Sequence, residues 1–97
     1  MATFICYGNF TDQGVKTIKD GPKRAEATKA LVEKMGGRLV GLYVTTGQYD
    51  LVIIADMPSG EAMAKLAISI SSQGNVRTTT VRAFQPAEMG KLISEAL

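Results

Sequence analysis

The side chains of this sequence that can take part in chemistry are carboxylates, tyrosines, lysines and arginines. The chain has no histidine and one cysteine, Cys6. Ser-His-Asp and Cys-His catalysis as usually built are therefore excluded, as are the usual histidine-based zinc and iron sites. A single cysteine beside Phe4 and Ile5 is typical of a buried, inert thiol. We expect no metal and no cofactor.

Tyr49-Asp50, within the stretch TTGQYDLVII of residues 45–54, is the first candidate for chemistry. Asp50 is a candidate acid, base or ligand anchor, with Tyr7, Tyr43 or an arginine as its neighbour. In the alternative interpretation, Asp50 accepts hydrogen bonds from hairpin amides or pairs with a cation, and Tyr49 is an aromatic residue at the edge of the core. A buried carboxylate needs such a partner in either case to stay charged.

Basic residues supply two further candidates. The first is an anion site near the start of a long helix, where free N–H groups attract negative charge. Its residues are Lys16, Lys19, Lys23 and Arg24. The alternative is a solvated helix face whose charge is balanced by neighbouring carboxylates. The second candidate is the pair Arg77 and Arg82 on a strand, which would hold a carboxylate in a polar cavity or lie at a sheet edge or interface.

Strand and helix patterns alternate along the chain that must position these residues. Aromatic and β-branched runs predict four strands, at residues 3–10, 38–46, 49–57 and 76–84. Apolar residues at helical spacing predict helices between the first two strands, between the last two, and at the C-terminus. The order β-α-β-β-α-β is the ferredoxin-like pattern. We expect a single domain over residues 1–97 of the α+β class, an antiparallel sheet with helices on one face plus a C-terminal helix.

Three local signals set the expected helix starts. Thr11 and Ser59 are good N-caps. Gly21 is expected to cap the long helix, with Pro22 at its first position. Thr28, Leu31, Val32 and Met35 fall on one stripe of that helix, which predicts the face that it turns to the core.

Gly47-Gln48 predicts a tight two-residue hairpin of type II′. Alternation along the two strands then assigns their faces. One face is expected to pack on the helices and carries Val40, Leu42, Val44, Thr46, Tyr49, Leu51, Ile53 and Ala55. The opposite face carries Leu39, Gly41, Tyr43, Thr45, Asp50, Val52, Ile54 and Asp56.

That second face is apolar at its middle and polar at its ends. The chain supplies no third layer to cover it, and an uncovered apolar patch of this kind marks an interaction site. We therefore expect two copies to join sheet to sheet, as a dimer or higher homo-oligomer, with a small-molecule cavity between the sheets. The ligand-binding candidates are Asp50, Tyr43, Thr45, Tyr7, Asn9, Tyr49, Arg77 and Arg82.

Bulk composition narrows the partners. The net charge of +2 is too small to predict nucleic-acid binding, and no apolar run is long enough to predict a membrane span. One cysteine and an N-terminus without a basic segment ahead of an apolar core predict a cytoplasmic location.

Three stretches carry a family resemblance: NFTDQGVKTIKDGPKRAEA at residues 9–27, GGRLVGLYVTTGQYDLVI at 36–53 and GNVRTTTVRAF at 74–84. Over essentially its whole length the chain resembles the GYD domain family, named for a glycine followed closely by tyrosine and aspartate. The resemblance implies a ferredoxin-like subunit of the dimeric α/β-barrel group, which includes ligand-sensing domains of transcription regulators and small cofactor-free oxygenases. It implies no particular activity.

Three functions remain open from the sequence. The first is a small homo-oligomeric domain that binds or senses a small molecule at the sheet–sheet interface. The second is a cofactor-independent oxygenase or isomerase that uses Asp50 with Tyr43 or Tyr7. The third is a purely structural assembly module.

Overall fold

A computed structural model describes all 97 residues of the chain. The strands are β1 (Ala2–Phe10), β2 (Arg38–Val44), β3 (Leu51–Met57) and β4 (Val76–Ala83). The helices are α1 (Asp12–Lys16), α2 (Gly21–Lys34), α3 (Gly60–Ser72) and α4 (Pro86–Ala96). One 3₁₀ turn, Ile18–Asp20, joins α1 to α2.

The strands form one antiparallel sheet in the order β2-β3-β1-β4. This is the ferredoxin-like order, so the predicted α+β fold is confirmed. The buried core lies between the sheet and helices α2 and α3. It consists of Cys6, Val32, Ile53, Ala55, Met57, Met63 and Leu66. We call the surface of the sheet that contacts α2 and α3 the helix side, and the opposite surface the outer face.

Two of the three predicted helix caps are confirmed. The Thr11 hydroxyl accepts a hydrogen bond from Gly14 N at 3.1 Å, and the Ser59 hydroxyl accepts one from Ala62 N at 3.1 Å. The prediction that Gly21 caps α2 was wrong. The 3₁₀ turn leads directly into α2, so Gly21 already has helical dihedral angles and Asp20 occupies the cap position.

The hairpin between β2 and β3 differs from the predicted two-residue turn. Its register is as expected, with Val44 opposite Leu51, but the ladder stops at that pair. Residues 45–50 therefore form a longer loop, in which Gly47 has a φ of +102°. Glycine adopts such a left-handed conformation at little cost.

A β-bulge at Val40 corrects the predicted faces of β2. The register shifts between Leu39 and Gly41, and one extra residue in a strand reverses the side to which all preceding side chains point. Leu39, expected on the outer face, packs against the core. Val40, expected in the core, is 49% exposed.

Helix α4 projects away from the rest of the molecule. Every one of its residues is exposed, although Met89, Leu92 and Ile93 form an apolar stripe at helical spacing. The projection contributes to an elongated shape, with principal extents of 49 × 30 × 18 Å. None of the helices has the length and apolar character needed to cross a membrane.

Candidate functional site

The loop of residues 45–50 is fixed to the end of β1 through Asp50. The Asp50 amide donates to the Gly8 carbonyl at 2.9 Å. The Asp50 carboxylate accepts a hydrogen bond from the Phe10 amide at 2.8 Å. The side chain thus continues the β1–β3 ladder beyond the point where the backbone of β3 has turned away. A carboxylate acceptor makes this a stronger bond than a neutral acceptor would.

The rest of the loop is held by side chains that the sequence had marked as ligand candidates. The Asn9 amide group donates to the Gln48 carbonyl at 2.8 Å, and the Thr45 hydroxyl donates to the Tyr49 carbonyl at 2.6 Å. The Tyr49 ring stacks on the Tyr7 ring, with centroids 4.5 Å apart and planes tilted by 31°. These contacts give the loop one defined conformation.

The stacking places Tyr49 away from its predicted position in the core. Tyr7 lies opposite Val52 and Thr79 on the outer face, so its stacking partner Tyr49 lies toward that face too. Strict alternation fails here because it holds only within a ladder, and the ladder ends at Leu51. No hydrogen bond links the Asp50 carboxylate to a tyrosine hydroxyl, and a catalytic role for this pair stays a prediction.

The NFTDQG stretch, residues 9–14, anchors the same end of the sheet to the loop before β4. The Thr11 amide donates to the Asn75 carbonyl at 3.0 Å, and its hydroxyl donates to the Gly74 carbonyl at 2.6 Å. Gln13 Nε2 donates to Asn75 Oδ1 at 3.0 Å. A Cβ atom on Gly14 would lie 2.1 Å from the Asn75 carbonyl oxygen. Only glycine permits this close approach.

The outer face carries cross-strand rows that run from edge to edge of the sheet. Its apolar row is Gly41, Ile54, Ile5 and Val81. The next row is Tyr43, Val52, Tyr7 and Thr79. Tyr43 is 57% exposed and Val81 is 43% exposed, and neither row is covered by a helix of the chain. The Tyr43 ring lies over Gly41, where an added Cβ would be 2.7 Å from a ring carbon.

The two strand arginines lie on opposite sides of the sheet. Arg77 is paired with Asn9 on the outer face. Arg82 lies on the helix side, 4.2 Å from the centre of the Phe84 ring, and 3.9 Å from a carboxylate oxygen of Glu88 in α4. It also donates to the carbonyls of Thr3 and Ala83. Arg82 thus holds the start of α4, and the structure does not bring it near the loop that contains Asp50.

The predicted anion-site residues lie around α1 and the start of α2. Lys16, Lys19 and Lys23 are exposed. Arg24 is half-buried, and its guanidinium donates to the carbonyl and hydroxyl oxygens of Thr17. Arg24 therefore ties α2 to the end of α1, and the anion site stays a prediction.

An ionic cluster at the opposite end of the outer face was missed by the sequence reasoning. Asp56 accepts hydrogen bonds from the Thr3 hydroxyl at 2.6 Å and from Arg38 at 2.8 Å. Thr3 and then Arg38 hold the pKa of the Asp56 carboxyl below its usual range. Without a bulge, the hairpin register would pair Arg38 with Met57. The bulge at Val40 shifts the register by one residue and brings Arg38 opposite Asp56.

A cavity of about 480 Å³ lies on the helix side, between α2 and the sheet. Eleven of its seventeen lining residues are hydrophobic, so it favours an apolar occupant. The sequence reasoning placed a pocket on the outer face instead. The signal for this cavity was available in α2, whose inward stripe begins with small residues.

The chain matches the family model described as GYD domain over residues 4–93. The chain belongs to the GYD domain family. The glycine, tyrosine and aspartate that carry the resemblance are Gly47, Tyr49 and Asp50. In this GYD domain those residues form the loop that docks on β1, with Gly47 in the left-handed turn and Asp50 bound to the Phe10 amide.

A curated relative is 31% identical over 90 residues, covering 92% of this chain and 95% of the relative. It is the glutamine synthetase and cystathionine beta-lyase binding protein of Thermus thermophilus.

Two solved structures share the fold. TTHA0845 from Thermus thermophilus has a TM-score of 0.57 and 23% identity, covering 88% of this chain and 95% of that one. The leucine response regulatory protein LrpA of Mycobacterium tuberculosis has a TM-score of 0.57 and 18% identity over 87% of this chain. This GYD domain spans about half of that regulator, 51% of its chain.

Cys6, the one cysteine of the chain, is fully buried in the core of the GYD domain. Burial raises the pKa of the Cys6 thiol, which keeps it neutral and unreactive. The structure contains no group of three or more carboxylate or thiol side chains placed to hold a metal ion.

Proposed function

We propose that this GYD domain is a homo-oligomeric binding module whose copies join through their outer sheet faces and which binds an enzyme as its partner. The observation that carries the proposal is the uncovered apolar row Gly41, Ile54, Ile5 and Val81 at the centre of the outer face. Covering such a row is favourable, because each Å² of apolar surface removed from water contributes about 25 cal/mol.

A second copy is the cover that fits this face best. In a dimer with two-fold symmetry both copies use the same surface, so the apolar row of each copy would cover that of the other. Along the strands, polar pairs lie on both sides of this row: Asp56 with Arg38 in one direction and Asn9 with Arg77 in the other. Interfaces commonly combine an apolar centre with a polar rim in this way.

Helix α4 adds a second reason for an oligomer. Isolated helices shorter than about 12 residues are marginal in water, and α4 has 11 residues, all exposed. Its apolar stripe of Met89, Leu92 and Ile93 therefore needs a permanent neighbour. A second copy supplies one without requiring a different protein.

Binding to an enzyme rests on the relative from Thermus thermophilus, which is named for its binding of glutamine synthetase and cystathionine beta-lyase. We propose the same kind of partner here, with the dimer as the binding unit. A small molecule between the joined sheets, near Tyr7, Asn9 and Arg77, is a further part of the proposal. Binding of this molecule would shift the equilibrium between single chains and the oligomer.

The experiment measures mass by light scattering for the wild-type chain, Val81→Asp and Ile68→Asp. Val81 is on the outer face, whereas Ile68 is exposed on α3, so the two variants add the same charge to opposite sides. We expect about twice the 10.3 kDa chain mass for the wild type and Ile68→Asp, and the mass of one chain for Val81→Asp.

The same three proteins are then titrated with purified glutamine synthetase and cystathionine beta-lyase from the same organism. We expect the wild type and Ile68→Asp to bind at least one enzyme and Val81→Asp to bind it at least tenfold more weakly. A wild-type monomer would overturn the sheet–sheet interface. A dimer that binds neither enzyme would overturn the proposed partner and leave the interface intact.

A further inference from the structure

We infer that the cavity between α2 and the sheet binds a small amphipathic monoanion, with an apolar hydrocarbon or aromatic body and one carboxylate. Its volume of about 480 Å³ falls in the range of small-molecule sites, about 300–1,000 Å³. The cavity lies on the helix side. Its ligand is therefore independent of whether a second copy covers the outer face.

The cavity exists because the inward stripe of α2 changes size along the helix. Gly21, Ala25 and Thr28 come first on this stripe and line the cavity. Val32 and Met35 follow at the same spacing and reach the core. The inward positions in the first half of α2 carry only small side chains, so the layer below them is open.

The floor of the cavity is formed by Leu42, Leu51 and Ile53, which point from the sheet toward α2. Ordered apolar walls without a facing layer lose dispersion contacts that a filled interior would have. Water gains few hydrogen bonds in such a space. An apolar ligand body restores the contacts, and this gives the cavity its affinity for hydrocarbon.

Two residues of the cavity wall are held in place by hydrogen bonds. Phe10 is held by the Asp50 carboxylate, and Asn75 is held by Thr11 and Gln13. All of these residues belong to the stretches that carry the GYD family resemblance. The hydrogen bonds between those stretches therefore position the cavity wall. A ligand that enters a preformed site avoids the cost of ordering its walls.

The polar groups of the lining select an anion. Arg24 is the one charged residue that lines the cavity, and no aspartate or glutamate does. Asn75 accepts a hydrogen bond at Oδ1 from Gln13, which leaves its NH₂ group as a donor. Arg24 already donates to Gly14 and Thr17. Its remaining N–H groups and the Asn75 amide supply donors for a carboxylate.

The test uses 1-anilinonaphthalene-8-sulfonate, a fluorescent aromatic monoanion, with the full-length wild-type chain. Decanoate, decanol and decylamine then compete for the probe at equal concentrations below micelle formation. We expect decanoate to displace it at least tenfold better than either of the others. Across hexanoate, octanoate and decanoate, each added methylene should tighten binding about fourfold.

Two variants on one helix locate the site. Ala25→Leu places a larger side chain in the cavity, whereas Ala30→Leu makes the same change on an exposed position of α2. We expect Ala25→Leu to weaken decanoate binding at least tenfold with an unchanged or higher melting temperature. Ala30→Leu should bind as the wild type does.

Arg24→Gln should lose the preference for decanoate over decanol, and Arg24→Lys should keep it. Because Arg24 also ties α2 to Thr17, the wild-type competition series decides the ligand class if Arg24→Gln does not fold. Equal displacement by decanoate, decanol and decylamine, or unchanged decanoate binding in Ala25→Leu, would overturn the inference.

Discussion

Both faces of the sheet carry apolar side chains, but they differ in what covers them. On the helix side, Ile53, Ala55 and Met57 are buried by α2 and α3. On the outer face, Ile54 and Val81 have no covering layer within the chain. The difference teaches that one face of this sheet is stabilised by its own chain, while the other is left for the second copy that we propose.

Truncation of one residue from each face gives the largest expected contrast. Leu66→Ala removes a fully buried side chain and should lower the free energy of unfolding by about 2–5 kcal/mol. Val81→Ala should cost less than about 1 kcal/mol in dilute protein. Urea unfolding at several protein concentrations measures both. A cost for Val81→Ala that does not grow with concentration would break the comparison.

Asp50→Ala sharpens the comparison at the end of the sheet where the loop of residues 45–50 is bound to β1. It removes the acceptor of the Phe10 amide and should cost about 1–3 kcal/mol. Asp50→Asn keeps an acceptor oxygen without the charge and should cost less. Denaturant unfolding checks the order of the two variants. Equal stability of both with the wild type would mean that the Asp50–Phe10 bond does not hold the loop.

Thr11→Ala and Ser59→Ala compare two N-caps with different surroundings. Ser59 caps α3 alone, so its loss should cost about 1 kcal/mol. The Thr11 hydroxyl also donates to the Gly74 carbonyl, so its removal should cost more than the loss of Ser59. Melting temperatures of the two variants measure the difference. A larger fall in melting temperature for Ser59→Ala would contradict the role proposed for the Thr11 hydrogen bonds in holding the cavity wall.

The smallest effect is expected from Asp56 on the outer face. Its pKa is lowered by Thr3 and Arg38, so its stabilising effect is complete above its unfolded pKa of about 3.9 and is lost as pH falls toward the folded value. Because Arg38 is largely exposed, the gain is about 1 kcal/mol or less. As the pH is lowered through this range, the free energy of unfolding should fall less steeply for Asp56→Asn than for the wild type. Identical slopes in denaturant titrations would rule this out.

Regular patterns made the order of elements, the hairpin register, and the Thr11 and Ser59 caps predictable, because each depends on local spacing or turn chemistry. The bulge at Val40 was not predictable, because a strand with one extra residue looks like an unbroken alternation. Its consequences, Leu39 in the core and Arg38 beside Asp56, were therefore missed as well.

Five of the ligand-binding candidates lie together in the structure, and their role in binding a ligand stays a prediction. Tyr7, Asn9, Thr45, Tyr49 and Asp50 do meet at one end of the sheet. The contacts Asn9–Gln48, Phe10–Asp50 and Tyr7–Tyr49 join distant parts of the chain, which a sequence pattern does not specify. The cavity beneath α2 depends on how far the helix stands from the sheet, and this distance is set by tertiary packing.

Thiol labelling tests most directly whether a second copy covers the outer face. Cys6 is fully buried, so a cysteine introduced by Val81→Cys or Ile68→Cys is the only one to react quickly with a thiol reagent. We predict that the labelling rate of Val81→Cys falls as protein concentration rises into the micromolar range, while that of Ile68→Cys stays constant. Equal rates for both variants at every concentration would contradict the account.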